Sequence, residues 1–265
     1  MGLQQIAAVF AQAKAAHRPA FMPYWTLGYP NADTSVHVIE AIARAGADMI
    51  ELGVPFSDPL ADGPVVQHAS QVALENGITL RKCLALTERL RANGLKQPLL
   101  AMGYMNPVMA FGETAYVDAW YKAGADGLIL PDLPPEESGE VRAACDAHDM
   151  ALIQFVAPTS TDARMAYSTK QATGFIYIVQ VLGVTGAREQ LAEGLPKYVA
   201  RVKAVANGTP VVVGFGISKP EHVREVGHVA DGVIVASALM RAAGEAADPP
   251  QAAYDFVRNL LAQPA

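Results

Sequence analysis

The chain has 265 residues, of which 51% are hydrophobic and 17% charged, with a mean hydropathy of +0.18. That much apolar material excludes intrinsic disorder, collagen and coiled coil, while the longest apolar stretches, such as Gly232 to Met240, fall well short of the roughly 20 residues a membrane helix needs. Its 20 Lys+Arg stand against 26 Asp+Glu, net −6 with no basic run, so nothing draws it electrostatically to nucleic acid or anionic lipid, and an acidic ligand must be held by local dipoles.

The first expected element is a helix with Leu3, Ile6 and Phe10 on one face. After it come short runs rich in Val, Ile, Leu and Met, near 20–27, 48–52, 98–103, 126–130, 151–156, 174–180, 210–215 and 231–235. In these runs apolar residues follow one another instead of alternating, the mark of strands covered on both faces and therefore parallel. The intervening segments show helical spacing, as in Val36, Ile39 and Ala43 or in Leu80, Leu84, Leu86 and Leu90. A weak echo repeats at the helix-to-strand junctions: Ala45-Gly46-Ala47-Asp48, Ala123-Gly124-Ala125-Asp126 and Ala230-Asp231-Gly232 each precede a strand.

Eight strands alternating with helices fit a closed (β/α)8 TIM barrel, its bottom plugged by the extra N-terminal helix, as one domain over 1–265. The alternative is an open Rossmann-like sheet. Against it, no strand is followed by G-x-G-x-x-G, since Gly214-Phe215-Gly216 continues with Ile217, Ser218 and Lys219. Cys83 and Cys145 have no C-x-x-C partner, and the six histidines show no pair at metal-ligand spacing; most fall on expected helices and are expected to face solvent. With two thiols and an N-terminus unlike a secretory signal, the expected compartment is the cytoplasm, where Asn207-Gly208-Thr209 is simply a turn.

In a barrel, chemistry belongs at the strand C-termini. Glu51 ends an otherwise apolar second strand, and the loop Gly53 to Pro64 brings Asp58 and Asp62 toward the same mouth. A carboxylate in an apolar strand must be solvated, paired or raised in pKa; two acids in different environments can divide proton donation from charge stabilisation. The competing reading pairs Glu51 with a barrel Arg or Lys and leaves Asp58 and Asp62 capping turns. Gly183-Val184-Thr185-Gly186, Gly214-Phe215-Gly216 and Ala236-Ser237 follow strands 6, 7 and 8, where backbone N–H groups and a helix N-terminus can hold a phosphate, unless these residues merely tighten turns.

The run Glu51-Leu52-Gly53-Val54-Pro55-Phe56-Ser57-Asp58-Pro59-Leu60-Ala61-Asp62-Gly63-Pro64 resembles the signature of tryptophan synthase alpha subunits. The resemblance extends along nearly the whole chain, through Phe21-Met22-Pro23-Tyr24, Thr26-Leu27-Gly28, Tyr104 with Asn106-Pro107, Pro131-Asp132-Leu133-Pro134 and the Gly-rich turns above. It implies a (β/α)8 lyase that cleaves indole-3-glycerol phosphate to indole and glyceraldehyde 3-phosphate, with Glu51 as general acid/base, Asp62 accepting the indole N–H and Tyr177 as a positioning group. It also implies phosphate contacts around Gly186, Gly216, Ala236 and Ser237, the family usually having glycine at the third. An indole pocket with Tyr24, Met102, Ile129 and Phe215 follows, Tyr24 and Met102 not being the commonest family choices.

By the same resemblance the segment Leu182 to Gly194 is a lid that brings Thr185 near Asp62. The chain carries no cofactor and joins a pyridoxal-phosphate-dependent beta subunit in an alpha2-beta2 complex, facing it with Pro55 to Asp58 and Asn106-Pro107. A free-standing lyase with the same residues, and a barrel that mainly activates the beta partner, are the alternatives.

Overall fold

The computed structural model describes residues 2–179, 194–214 and 216–262. Its strands are β1 (Ala20–Thr26), β2 (Ile50–Gly53), β3 (Leu99–Met102), β4 (Gly127–Ile129), β5 (Ala151–Val156), β6 (Ile176–Ile178), β7 (Val211–Val213) and β8 (Gly232–Val235). All pair in parallel in the order β1 to β8, and β8 closes on β1 through Ala20 opposite Gly232. Every strand position but Gln154, Phe155 and Tyr177 is a buried apolar residue, glycine, proline, Thr26 or Glu51, which is why these runs are continuous in the sequence.

Helix α1 (Leu3–Ala15) precedes β1, and α2 (Ala32–Ala45) crosses from β1 to β2. Two of the crossovers hold a pair of helices, where the sequence suggests one: α3 (Pro64–Glu75) and α4 (Leu80–Ala92) before β3, α5 (Met105–Phe111) and α6 (Glu113–Ala123) before β4. Then follow α7 (Gly139–Ala147), α8 (Asp162–Gln171), α9 (Leu195–Val205) and α10 (Pro220–Gly227), with α11 (Ser237–Ala243) and α12 (Pro249–Leu260) after β8. The doubling comes from local breaks. Gly77 and the N-cap Thr79, which accepts the Lys82 N–H, restart α4, and Gly112 at φ +93° parts α5 from α6.

Helix α1 does lie under the barrel. Ile6 and Phe10 are buried, the Phe10 ring meets Phe175 edge-on at 5.9 Å, and the Leu3 N–H bonds the Asp149 carbonyl at 2.9 Å, all at the N-terminal ends of strands.

The repeated Asp of the junction echo has a physical cause at this lower rim. A residue just before each even-numbered strand holds the preceding strand by a reciprocal pair of hydrogen bonds. Asp48 donates its N–H to the Phe21 carbonyl and accepts the Phe21 N–H on its carboxylate, at 2.9 and 2.8 Å. Asp126 does the same to Leu99 at 2.7 and 2.9 Å, and Asp231 to Val211 at 2.8 and 2.8 Å. Before β6 a hydroxyl replaces the carboxylate, Thr173 clasping Leu152 at 3.3 and 2.8 Å. Each strand needs the N–H groups at its start satisfied where the barrel ladder begins, and a short acceptor side chain one junction away takes the first or second of them. The three carboxylates are balanced by Arg18, Arg91 and Lys203.

Both cysteines are buried, and burial pushes each thiol up to about 12, so packing is their role. One histidine departs from expectation: His222 is 3% exposed, its Nδ1 accepting the Ser218 N–H at 3.3 Å. At the third position of α10 it points back over the helix start instead of out to solvent.

Candidate active site

The upper rim gathers its polar groups from β1, β2, β3 and β6. Glu51 lies on β2 opposite Tyr24 of β1 and Leu100 of β3. It is 2% exposed, and its Oε2 has no hydrogen-bond partner among the described residues. Among the described residues no cation pairs with it, which sets aside the Arg or Lys partner that the sequence left open. Burial first, and then the nearby Asp62 charge, push its carboxyl up to about 8. An unpaired acid in this position is protonated at neutral pH and has one oxygen free for a ligand.

Asp62 lies in the loop before α3, half-buried, and burial pushes it up to about 6 while the Tyr104 hydroxyl pulls the other way. It is not a helix cap. The N-cap of α3 is Gly63, and Asp62 contributes only its backbone carbonyl, to Gln67 at 2.8 Å. Asp58 is different: it is exposed and takes the Ser57 hydroxyl at 2.5 Å, so only one of the two loop acids acts electrically on Glu51.

Two tyrosines stand beside these acids in matching seats. Tyr24 is opposite Glu51, and its ring occupies the space over Gly53, two residues further along β2, where a Cβ would lie 2.0 Å from the phenolic oxygen. Tyr177 is opposite Val212, and its ring fills the same space over Gly214, where a Cβ would meet the ring at 2.2 Å. Glycine at both places lets an aromatic ring lie flat across the next strand. Tyr24 bonds the Thr26 hydroxyl at 3.3 Å, and Tyr177 stacks on Phe155 with centroids 4.9 Å apart. Burial and the two acids raise both phenols well above their ordinary value, so neither is ionised at neutral pH.

Met102 and Ile129, the last residues of β3 and β4, pair with one another in register and are buried below the mouth. Gly216 follows β7 with φ +71°. Ala236 is the N-cap of α11 at φ −117°, so the position does not require the positive φ that favours glycine. Ser237 begins the helix and is half-buried. Thr185, Gly186 and Phe215, and all of the lid except Gly194, lie outside the described residues.

Sequence reasoning assigned no role to two hydroxyls of this rim, Thr26 and Tyr104. Both occur in the motifs quoted for the resemblance; the missing signal was a strand-end hydroxyl set beside an acid from another loop, which only the fold brings together. Among the described residues no group of three His, Cys, Asp or Glu side chains could hold a metal ion, and no helix is long and apolar enough to cross a membrane.

A closed parallel barrel with a buried acid, a second acid and neutral phenols at its strand C-termini defines a (β/α)8 enzyme of the acid–base kind. The family model for the tryptophan synthase alpha chain matches residues 10–263. The tryptophan synthase alpha chain of Roseiflexus sp. (strain RS-1) is 50% identical, over 97% of this chain and 99% of that one. Among solved structures, Mycobacterium tuberculosis tryptophan synthase superposes with a TM-score of 0.88 at 38% identity, covering 96% of both chains. Tryptophan synthase subunit alpha from Legionella pneumophila str. Paris gives 0.89 at 34%, over 97% of this chain and 96% of that one. The chain belongs to the tryptophan synthase alpha chain family, carbon–carbon lyases of tryptophan biosynthesis that cleave indole-3-glycerol phosphate and partner with a beta subunit.

Proposed function

We propose that this chain performs the alpha reaction with Glu51 as general acid/base, Asp62 as the acceptor of the indole N–H and Tyr177 as the group that orients the substrate between them. One observation carries the reading: Glu51 is buried, raised to about 8 and, among the described residues, unpaired with a free oxygen. The protonated acid delivers its proton to indole C3. Positive charge then spreads to the ring nitrogen, whose N–H is held by ionised Asp62. Glu51, now a carboxylate, removes the proton of the glycerol hydroxyl next to the ring. The C–C bond breaks, its electrons return to the ring, and the hydroxyl carbon leaves as the aldehyde of glyceraldehyde 3-phosphate. The acid ends protonated as it began, so one residue serves both halves.

The indole ring rests among Tyr24, Met102, Ile129 and Phe215. Backbone N–H groups of Gly186, Gly216, Ala236 and Ser237, with the Ser237 hydroxyl, grip the phosphate, as suits a net-acidic protein. The lid brings Thr185 to Asp62 and excludes water. The chain carries no cofactor of its own. It works in the cytoplasm in an alpha2-beta2 complex whose beta subunit holds pyridoxal phosphate, and passes indole to it.

The deciding experiment follows indole spectroscopically as the purified chain acts on indole-3-glycerol phosphate, with and without a beta subunit. Large activation by the beta subunit is expected; equally high solitary turnover identifies a free-standing lyase instead, and no indole under either condition overturns the reading. The pH profile of kcat/KM carries a sign. Asp62 must be charged, so activity falls as pH drops through about 6; Glu51 must be protonated, so it falls as pH rises through about 8. Asp62→Asn is expected to lower kcat at least ~100-fold, the lower end for an essential acid or base.

A further inference from the structure

Among the described residues, Tyr104 is the buried hydroxyl at this rim that reaches the loop carrying Asp62. It follows Gly103 just past the end of β3, is 2% exposed, and forms the N-cap of α5. Its phenolic oxygen accepts the Ala61 N–H at 3.2 Å, and the Phe56 ring lies tilted against its own with centroids 5.5 Å apart. Phe56 and Ala61 belong to the same loop as Asp62, so a side chain rooted in the barrel wall grips that loop at two points.

The loop needs such a grip. Ser57, Asp58, Leu60 and Ala61 are exposed, Leu60 to 88%, so packing alone does not fix the stretch that ends in Asp62. A phenol that takes an amide N–H on its oxygen still has its own O–H to donate, and the acceptor beside it is the Asp62 carboxylate. Tyr104 is held from behind in turn. Both oxygens of Asp132, in the turn after β4, accept the Met105 N–H at 3.1 and 3.0 Å and so pin the first turn of α5. No role proposed above uses Asp132 or Tyr104.

We propose that Tyr104, set in place by Asp132, is a positioning residue for Asp62: it ties the acid-bearing loop to the end of β3 and directs its O–H at the carboxylate. This rests on the reading of Asp62 as the indole N–H acceptor. The titratable groups facing Asp62 are Glu51 from β2, Tyr24 from β1, Tyr177 from β6 and Tyr104; Asp132 faces Tyr104. Of these Tyr104 is the group that favours the charged form of Asp62, against burial. It therefore does two things the reaction needs, aiming the acceptor and keeping it ionised near neutral pH.

Tyr104→Phe keeps the ring against Phe56 and deletes only the hydroxyl. A hydrogen bond to a charged group corresponds to roughly a ten- to hundredfold effect, so kcat should fall by at least about tenfold while KM changes little. The acidic limb of the pH profile should move upward by about one pH unit, and so should the Asp62 carboxyl titration followed by carbon NMR. Asp132→Asn, which weakens the support without touching the hydroxyl, should displace both in the same direction and less. A parental kcat in Tyr104→Phe with an unmoved Asp62 titration overturns the proposal. Parental turnover in Asp62→Asn overturns the catalytic reading instead, and the NMR titration separates that failure from this one because it reads the carboxyl with no turnover at all.

Discussion

Replacing Glu51 by Gln should abolish indole release and at the same time stabilise the protein at alkaline pH. The first effect follows from chemistry: the amide can neither protonate indole C3 nor take the glycerol proton, and loss of a general acid/base lowers turnover by about 10²–10⁴-fold. The second follows from linkage. The ordinary value for the carboxyl is 4.5, and in the fold it is raised to about 8. The folded state therefore holds this proton more tightly than the unfolded chain. The stability it contributes is fully present below the unfolded value and is lost as pH rises through the folded one. By pH 9 that loss is on the order of 4 kcal/mol, and a glutamine does not incur it.

Thermal melts of parent and Glu51→Gln at pH 5 and pH 9 test this directly. The variant should gain on the parent by about 10 °C between the two, taking 2–4 °C for each kcal/mol in a chain of this size. Parallel melting curves across that range would show that Glu51 is not the buried, unpaired acid described above. A variant that is more stable yet inactive is the expected signature of a site that holds its acid at the expense of the fold.

The largest purely structural effect is expected at the opposite rim. Asp126 is 0% exposed, and besides clasping Leu99 it accepts the Gly2 N–H at 2.7 Å and the Arg91 guanidinium at 2.6 Å. The same guanidinium donates to the carbonyls of Gly124, Leu95 and Gln97 at 2.9, 2.8 and 2.8 Å. Asp126→Ala leaves that charge without its counter-ion and two buried N–H groups without an acceptor, at a cost of about 3–5 kcal/mol. The midpoint of thermal unfolding should fall by roughly 10 °C. The exposed Arg89–Asp33 pair is the control, since removing it with Asp33→Ala should leave the midpoint unchanged. A comparable small change in both variants would rule out the clasp as a structural anchor.

These two rims differ in how much of them was legible beforehand. The lower rim announced itself as an Asp repeated at the junctions before β2, β4 and β8, twice as Ala-Gly-Ala-Asp, because the same backbone problem recurs there and receives the same short acidic side chain. Thr173 escaped the pattern because a hydroxyl solves the problem as well as a carboxylate. At the upper rim Glu51 stood out as a charge inside an apolar strand. Its tyrosines did not stand out by pattern: Tyr24 and Tyr177 entered only through the family resemblance, and Tyr104, just past the end of β3, looks in the sequence like any buried aromatic residue.

The doubling of helices between β2 and β4 was missed for a related reason. Helical periodicity continues across a short break, and only the backbone at Gly77 and Gly112 shows where one helix stops. Likewise His222 on a polar stretch reads as solvent-facing, until the turn before α10 folds back and offers it the Ser218 N–H.

Strand positions, barrel class and the buried acid are written locally: each depends on the hydrophobic pattern of a few consecutive residues and on the limited ways in which parallel strands can be connected and covered. The pairing of acids was not local. That Glu51 meets no cation among the described residues, that Asp62 and not Asp58 faces it, and that Tyr104 reaches across to the loop depend on which side chains meet when eight strands close into a ring. Electrostatic strength follows distance and burial, and both come into existence only with the closed barrel.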